Sequence, residues 1–263
     1  MTCEDLALRI GQPDALIVQV TAEARYAAGH IEGAVLVTPN ELVSGVPPAA
    51  GQLPDRERLQ RLFGRIGLTR DVEVIAYDDE GGGWAGRLLW TLDVIGHARW
   101  SYLDGGLHAW LGEGRSLSTT DVERPPSELD ITIDRAPIAE VSDIVSRLDD
   151  PSLTIWDCRS EAEYLGTRSG SQRAGHIPGA RHLDWLDLMD PARQLRLRSD
   201  LPGILERAGI RTDSDIITHC QTHHRSGLSY LVARLLGLPR IRAYHGSWAE
   251  WGNRSDTPIA TGR

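Results

Sequence analysis

One short segment of the sequence concentrates residues that could do chemistry. Residues 216–230 read ITHCQTHHRSGLSYL, in which Cys220 is followed by His223, His224 and Arg225 with no acidic residue among them. A thiol beside imidazoles could bind a metal, and a thiol beside a guanidinium could act as a nucleophile. The same residues could also decorate an ordinary turn. The elements on either side of Cys220 bear on the choice among these three interpretations.

The apolar pattern predicts a strand before Cys220 and a helix after it. DIITH (215–219) is a short apolar run of the kind that forms a buried strand, and Leu228, Leu231 and Leu235 recur at helical spacing. Cys220 is therefore predicted to lie at the carboxyl end of a strand, in the turn that leads into a helix. In open α/β sheets this is the place where ligands bind.

This position predicts a reactive thiol. The first turn of a helix leaves backbone N–H groups without intrahelical partners, and the helix dipole adds positive potential at the same place. An anion is stabilised there. Together with the charge of Arg225, these groups are expected to depress the pKa of Cys220, so that its thiolate is a nucleophile at neutral pH.

A metal site is the weaker interpretation of the same segment. Zinc would have to be bound by His219, Cys220, His223 and His224, but strand alternation directs the side chains of His219 and Cys220 to opposite sides. The chain also lacks a C-x2-C pair. We therefore predict no metal, and we expect His223 and His224 to be loop spacers whose side chains point outward while their amides point in.

Composition narrows the cellular location and the classes of partner that we expect for the protein. Three cysteines are too few for a disulfide framework, so we expect reduced thiols, with Cys158 a packing residue and Cys3 part of a frayed terminus. The net charge of -9 argues against a nucleic-acid partner or an anionic membrane surface. The N-terminus lacks the pattern of a secretory signal, and an apolar run of about 20 residues is absent. These features predict a cytoplasmic protein without a membrane partner.

The sequence repeats itself once. AGHIEGA (28–34) matches AGHIPGA (174–180), and two further blocks match in the same order. This indicates two copies of one domain, at 1–115 and 136–263, joined by a linker at 116–135 that is rich in polar residues and proline. Within each copy, short apolar runs alternate with helical patterns, which predicts an α/β fold with a mainly parallel sheet and helices on both faces.

The first copy is predicted to be catalytically silent. Asp78 stands where the second copy has Cys220, and a carboxylate cannot do thiol chemistry. Gln19 and Thr21 likewise stand where the second copy has Asp157 and Arg159. We expect Asp157 and Arg159 to form a buried structural ion pair.

The motifs of the second copy, in this order and in tandem, resemble the rhodaneses, which are thiosulfate:cyanide sulfurtransferases. They are Asp157-x-Arg159, GHIPGA (175–180), the loop from Cys220 to Arg225, and GSWAEW (246–251). The loop CQTHHRS is similar to that of a bacterial type of tandem rhodanese. The resemblance implies two rhodanese-like domains and a persulfide on Cys220, which accepts sulfur from a small anionic donor such as thiosulfate and passes it to a thiophilic acceptor such as cyanide. It implies that no cofactor is needed.

The same resemblance implies how the loop would work. The amides of the loop residues would form a cradle for the persulfide anion, with charge from Arg225. These loop residues are Gln221, Thr222, His223, His224, Arg225 and Ser226. Gln221 and Thr222 stand where the mammalian rhodanese loop has basic residues, which weakens the case for thiosulfate as the donor. Positive charge is then expected mainly from Arg225. Arg168 or Arg173 in the preceding loop and Trp185 at the pocket mouth are candidates for donor binding, and the alternatives are solvated surface arginines and a packing tryptophan.

Three other functions stay open at this stage. The chain could use 3-mercaptopyruvate as donor, or it could be a persulfide carrier that receives sulfur from a desulfurase or another sulfur-relay protein. Cysteine phosphatases also place a thiolate and an arginine on a loop before a helix, but their loop is C-x5-R. Only four residues separate Cys220 from Arg225, which favours a ring of amides sized for one sulfur over one sized for phosphate.

Overall fold

The chain forms two compact units, each built from three stretches of sequence. The computed structural model describes residues 1–262. Unit 1 comprises Met1–Val43, Pro54–Asp134 and Met189–Leu197, and unit 2 comprises Ser44–Leu53, Arg135–Leu188 and the residues from Arg198 onward. The units follow the sequence repeat, except that residues 44–53 belong to unit 2 and residues 189–197 to unit 1. The boundaries predicted from the repeat stay a prediction.

Unit 1 contains a sheet of four parallel strands. Its strands are β1 (Ala15–Val20), β2 (Val35–Val37), β3 (Glu73–Asp78) and β4 (Trp100–Tyr102), in the order β2-β1-β3-β4. Its helices are α1 (Cys3–Ala7), α2 (Glu23–Ala28), α3 (Arg56–Arg65), α4 (Gly83–Val94) and α5 (Gly106–Gly112). Every residue of β1 is buried, as the continuous apolar run predicts for a parallel strand. Helix α4 packs against β3 and therefore begins directly above the end of that strand.

Unit 2 contains a sheet of five parallel strands. They are β5 (Ile138–Ala139), β6 (Leu153–Asp157), β7 (Arg181–His182), β10 (Asp215–His219) and β11 (Ile241–Tyr244), in the order β5-β11-β10-β6-β7. Its helices are α6 (Val141–Val145), α7 (Glu161–Tyr164), α8 (Leu201–Arg207), α9 (Arg225–Leu235) and α10 (Ser247–Trp251). The remaining two strands, β8 (Met189–Asp190) and β9 (Arg196–Leu197), form an antiparallel hairpin in unit 1.

The predicted fold class is confirmed: both sheets are parallel and flanked by helices. The predicted strand DIITH coincides with β10. The segment predicted to be a solvated linker, in contrast, runs along unit 1. Ser118 pairs with His30 in an isolated bridge, and Arg124 donates to the carbonyl of Ala15 at 2.8 Å. Its polar side chains thus bond to the domain they follow, which composition alone does not reveal.

The expectation of a frayed Cys3 is wrong. Thr2 and Asp5 form a capping box, in which each side chain accepts a hydrogen bond from the other residue's backbone N–H. The Met1 ammonium donates to the carbonyl of Tyr102 at 3.0 Å. These bonds fix the start of α1, and Cys3 is fully buried in the core of unit 1 beside Leu6. Burial raises the pKa of its thiol to about 11, which makes Cys3 a weak nucleophile.

Candidate active site

Cys220 lies at the carboxyl end of β10, the central strand of the unit 2 sheet. β10 is hydrogen-bonded to β6 on one side and β11 on the other, and Cys220 is the first residue after it. Helix α9 begins at Arg225, so only four residues separate Cys220 from the helix; we call residues 220–225 the active-site loop. Cys220 is 1% exposed. The predicted place of the thiol, between a strand end and a helix start, is confirmed.

Hydrogen bonds from α10 orient the peptide planes of the active-site loop. The amide of Trp248 donates to the carbonyl of Cys220 at 3.0 Å, and the amide of Ala249 donates to the carbonyl of Gln221 at 2.9 Å. Because C=O and N–H point in opposite directions in a trans peptide, the N–H groups of Gln221 and Thr222 are turned to the other side. Successive amides on one side of a turn form an anion-binding nest. Residues of the block GSWAEW (246–251) therefore fix the orientation of the loop by donating hydrogen bonds to its carbonyls.

The side chain of His223, in the active-site loop, faces the interior of the protein. Its φ of 56° lies in the left-handed region, and its side chain is fully buried, with Nδ1 2.8 Å from the hydroxyl of Ser226. The expectation that this side chain points outward is therefore wrong. The left-handed backbone at residue 223 turns the side chain into the protein. His224 is half-buried, and its ring lies 5.6 Å from that of Trp185.

The surroundings of Cys220 favour its thiolate. Burial alone would raise the pKa of the thiol, but the guanidinium of Arg225, the hydroxyl and amide of Ser226 and the amide of Thr222 together hold it below the ordinary value. Each of these groups interacts with the charged sulfur more favourably than with the neutral thiol. For Ser226 to donate to sulfur, Nδ1 of His223 must carry a proton and donate to the Ser226 oxygen. The site thus makes ionisation of Cys220 easier through backbone and side-chain donors.

Glu163 neutralises Arg225, and sequence reasoning missed it. Its two carboxylate oxygens accept from the two terminal nitrogens of Arg225 at 2.7 and 3.0 Å. Burial would raise the pKa of Glu163, but these bonds and those from Ser160 lower it to about 2. The Ser160-x-x-Glu163 spacing signals a helix start, yet a partner 62 residues further along cannot be read from it. The donor therefore meets a paired Arg225 rather than an uncompensated cation.

A buried charged network lies next to β10. Arg159 binds Asp157 through its side chain and its backbone N–H, and both side chains are fully buried, so the predicted structural ion pair is confirmed. The guanidinium also stacks over the ring of Trp248 at 4.3 Å. His219, opposite Asp157 in the ladder, lies 3.6 Å from that carboxylate, and its Nδ1 is 3.3 Å from the carbonyl of Cys220. Burial lowers the pKa of His219, which favours a neutral ring.

In unit 1, the matching pair of residues on neighbouring strands is uncharged. Gln19 lies opposite Tyr77 there, as Asp157 lies opposite His219 in unit 2. The hydroxyl of Tyr77 donates to the Gln19 carbonyl at 2.9 Å. A neutral hydrogen bond in unit 1 thus stands where unit 2 has buried charges.

Cys158 behaves as the predicted packing residue. It follows β6, is fully buried, and its sulfur lies 2.9 Å from the hydroxyl oxygens of both Thr218 and Ser229. Burial raises the pKa of its thiol well above the ordinary value. A neutral, enclosed thiol is a poor nucleophile.

The three residues assigned to donor binding lie in different settings. Trp185 is half-buried beside the active-site loop. Arg173 uses its guanidinium to donate to the carbonyls of Thr257 and Trp251 at 2.9 Å, which favours a structural role. Arg168 is exposed. Binding of a donor by any of them stays a prediction.

In unit 1, Asp78 itself fills the corresponding loop. One carboxylate oxygen accepts from the amides of Glu80, Gly81 and Gly82 at 2.8 to 3.1 Å, and the other accepts from Ala85 at 2.9 Å. Asp78 is fully buried. The amides that could stabilise a sulfur anion are therefore already bound to a carboxylate of the same chain. This arrangement supports the predicted silence of the first copy, which stays a prediction.

The part of the chain that the structure describes shows no cluster of side chains suited to binding a metal ion. Within residues 1–262, no group of three or more His, Cys, Asp or Glu side chains is arranged to hold an ion. Over the same residues, no helix has the length and apolar character needed to cross a membrane.

Comparison with known proteins identifies the family. The model of the rhodanese-like domain matches twice, at residues 2–113 and 140–254. The chain is 48% identical over 255 residues to a thiosulfate sulfurtransferase of Pseudomonas aeruginosa, covering 97% of this chain and 94% of that protein. It is 31% identical to a sulfur carrier protein of Thermus thermophilus, covering 90% of this chain and 87% of that protein.

A solved structure agrees at the level of the fold. An anaerobic ergothioneine biosynthesis enzyme from Chlorobium limicola superposes with a TM-score of 0.85 at 24% identity, covering 97% of this chain and 67% of that one. Two matches to the domain model, nearly full-length similarity to a sulfurtransferase and the loop geometry point the same way. The chain belongs to the rhodanese family.

Proposed function

We propose that this chain is a thiosulfate sulfurtransferase that carries sulfur as a persulfide on Cys220. The observation that carries the proposal is the enclosed Cys220 thiol whose pKa is lowered by Arg225, by the hydroxyl and amide of Ser226 and by the amide of Thr222. A group that stabilises a thiolate at this position also stabilises the terminal sulfur of a persulfide, which bears the same charge. The name of the Pseudomonas relative supports thiosulfate as the donor.

The reaction runs in two displacements. The Cys220 thiolate attacks the outer sulfur of thiosulfate, a new S–S bond forms, and the original S–S bond breaks with its electron pair leaving on sulfite. The acceptor, for example cyanide, then attacks the terminal sulfur of the persulfide. Thiocyanate leaves and the thiolate is regenerated, so that neither an external oxidant nor a reductant is consumed. Ping-pong kinetics follow from this order.

Recognition of the donor is shared by Arg225 and the backbone. Glu163 pairs with Arg225, and the loop amides and the start of α9 add further positive potential. A small anion with a reactive sulfur fits this environment. Trp185, Arg168 and Arg173 remain candidates for further contacts.

The experiment is an intact-mass measurement of the purified protein. Incubation with thiosulfate should add one sulfur atom per chain, and cyanide should remove it. Cys220→Ser should gain none. If wild-type protein gains no sulfur from thiosulfate under conditions in which it is folded, the proposed donor is wrong. A phosphatase assay with p-nitrophenyl phosphate serves as a negative control, because the four-residue loop is one residue shorter than C-x5-R.

A second candidate is a persulfide carrier that works with a desulfurase or another relay protein. The name of the Thermus relative favours it. Comparing initial rates of sulfur loading from thiosulfate, 3-mercaptopyruvate and a cysteine desulfurase separates the candidates. Fast loading by the desulfurase together with slow loading by both small donors would favour the carrier. We keep a cytoplasmic location as a prediction from the reduced cysteines.

A further inference from the structure

The third peptide of the active-site loop packs against a glycine outside the loop. The carbonyls of Cys220 and Gln221 accept from α10, as described above. The next carbonyl, that of Thr222, lies against the backbone of Gly51. A methyl group placed on Gly51 would collide with the carbonyl oxygen of Thr222. A side chain at position 51 would therefore displace the Thr222–His223 peptide, and with it the neighbouring Thr222 amide that donates to Cys220.

We propose that residues Ser44–Leu53 are a strap that holds the active-site loop in its amide-inward conformation, with Gly51 as the positioning residue and His245 as the anchor. The inference rests on the proposed role of Cys220 and adds to it. Residues 44–53 belong to unit 2 and are therefore part of the body that contains the loop.

Hydrogen bonds within the strap join its first residues to its last ones. The amide of Ser44 donates to the carbonyl of Gln52 at 2.7 Å, and the amide of Gly45 donates to the carbonyl of Ala50 at 3.0 Å. These bonds bring the two ends of the segment together and limit its freedom. Gly51 is buried beside this closure, so it presents a defined surface to Thr222.

His245 anchors the strap at its end. The amide of Leu53 donates to Nδ1 of His245 at 2.9 Å. Because Nδ1 accepts this bond, the ring proton is on Nε2, which faces a carboxylate oxygen of Glu140 at 3.6 Å. His245 stands at the end of β11, two residues before α10, which holds the other loop carbonyls. One short stretch of chain thus supports the loop on both sides.

Unit 1 contains the same device with different side chains. The amide of Leu197 donates to the carboxylate of Asp104 at 2.7 Å, and Asp104 stands before Gly105 as His245 stands before Gly246. Met189 of the same segment lies against Gly81 of the loop, where a methyl group would come within 2.2 Å of its sulfur. The anchor thus recurs at the matching position in both units, while the loop contact is made by a glycine in unit 2 and by a methionine side chain in unit 1.

Gly51→Ala tests the positioning role. The φ of Gly51 lies outside the left-handed region, so alanine is compatible with the backbone and only the contact with Thr222 changes. Displacing the Thr222–His223 peptide should weaken donation to sulfur, and we expect kcat/KM for thiosulfate to fall by ~10-fold. The pH dependence of Cys220 alkylation should shift toward higher pH. The control is Val46→Ala, an exposed position of the same strap.

The anchor supplies a second, independent test. His245→Ala should shift the alkylation profile in the same direction as Gly51→Ala, and His245→Asn should restore it, because the Asn carbonyl can accept the Leu53 amide in place of Nδ1. This pair carries the test if Gly51→Ala does not fold. Folded variants with the alkylation profile and kcat/KM of wild type would overturn the proposal. Alkylation does not depend on sulfur transfer, so the strap is tested even if wild-type protein gains no sulfur from thiosulfate.

Discussion

The guanidinium of Arg225 and the carboxylate of Glu163 form a two-bond ion pair beside the proposed nucleophile, with nitrogen–oxygen distances of 2.7 and 3.0 Å. Glu163 also accepts from the amide and hydroxyl of Ser160 at the start of α7. One carboxylate therefore joins the start of a helix to the active-site loop. The charge of Arg225 is thus compensated within the protein.

This ion pair predicts a specific acid sensitivity. The pKa of Glu163 is lowered to about 2 from an ordinary value of 4.5, so its stabilising contribution is complete above pH 4.5 and is lost as the pH falls toward 2. In Glu163→Gln, the free energy of unfolding should decline less across this window than in wild type. Urea unfolding at a series of pH values measures the two slopes. Glu161→Gln, at an exposed position of the same helix, is the control. Equal slopes in Glu163→Gln and wild type would contradict the assignment.

Ser226 is predicted to tune the nucleophile. Its hydroxyl lies between Nδ1 of His223 and the sulfur of Cys220. Ser226→Ala should raise the pKa of Cys220, because one donor to the thiolate is lost, and should lower kcat/KM by ~10-fold. Iodoacetamide alkylation as a function of pH reports the first effect, and the thiosulfate assay reports the second.

The matched control for Ser226 lies one turn further along α9. Ser229→Ala removes a hydroxyl that donates to Cys158 rather than to Cys220. Its alkylation profile at Cys220 should stay close to that of wild type. If both serine variants shifted the profile equally, a general loosening of α9 would explain the result better than the bond to Cys220.

Asp78 is predicted to matter for stability and not for catalysis. Its carboxylate accepts from four loop amides, and its removal would leave buried donors without a protein partner. Asp78→Ala should lower the free energy of unfolding by about 1–3 kcal/mol, while kcat/KM of the folded protein stays near that of wild type. Denaturant unfolding and the sulfur-transfer assay test the two halves. Glu80→Ala, at an exposed position of the same loop, should change neither. A large loss of activity in folded Asp78→Ala would show that the first domain is not silent.

Local patterns of the sequence were enough to predict the fold and the place of Cys220 between a strand and a helix. The run DIITH became β10 with its predicted bounds, because a short apolar stretch between polar residues has few other ways to be buried. Cys220 followed from that strand end. The repeat pointed to Asp78 by simple alignment.

The partners of the site could not be predicted in the same way. Glu163 and Gly51 reach the loop from 62 and 171 positions earlier in the chain, respectively, and no local pattern records where a distant segment packs. His223 was expected outside because polar loop residues usually face water, but its left-handed backbone turns the ring inward toward Ser226. In each case the prediction would have required the three-dimensional arrangement of the chain, which local sequence patterns do not contain.

The most direct test of the account is to locate the transferred sulfur. After wild-type protein is loaded with thiosulfate, trapped by alkylation and digested, mass spectrometry of the cysteine peptides assigns the added atom. The account predicts a persulfide on the peptide that contains Cys220, and unmodified sulfur at Cys3 and Cys158, which are buried thiols of raised pKa. A sulfur atom found on Cys158 or Cys3, with Cys220 unmodified, would contradict it.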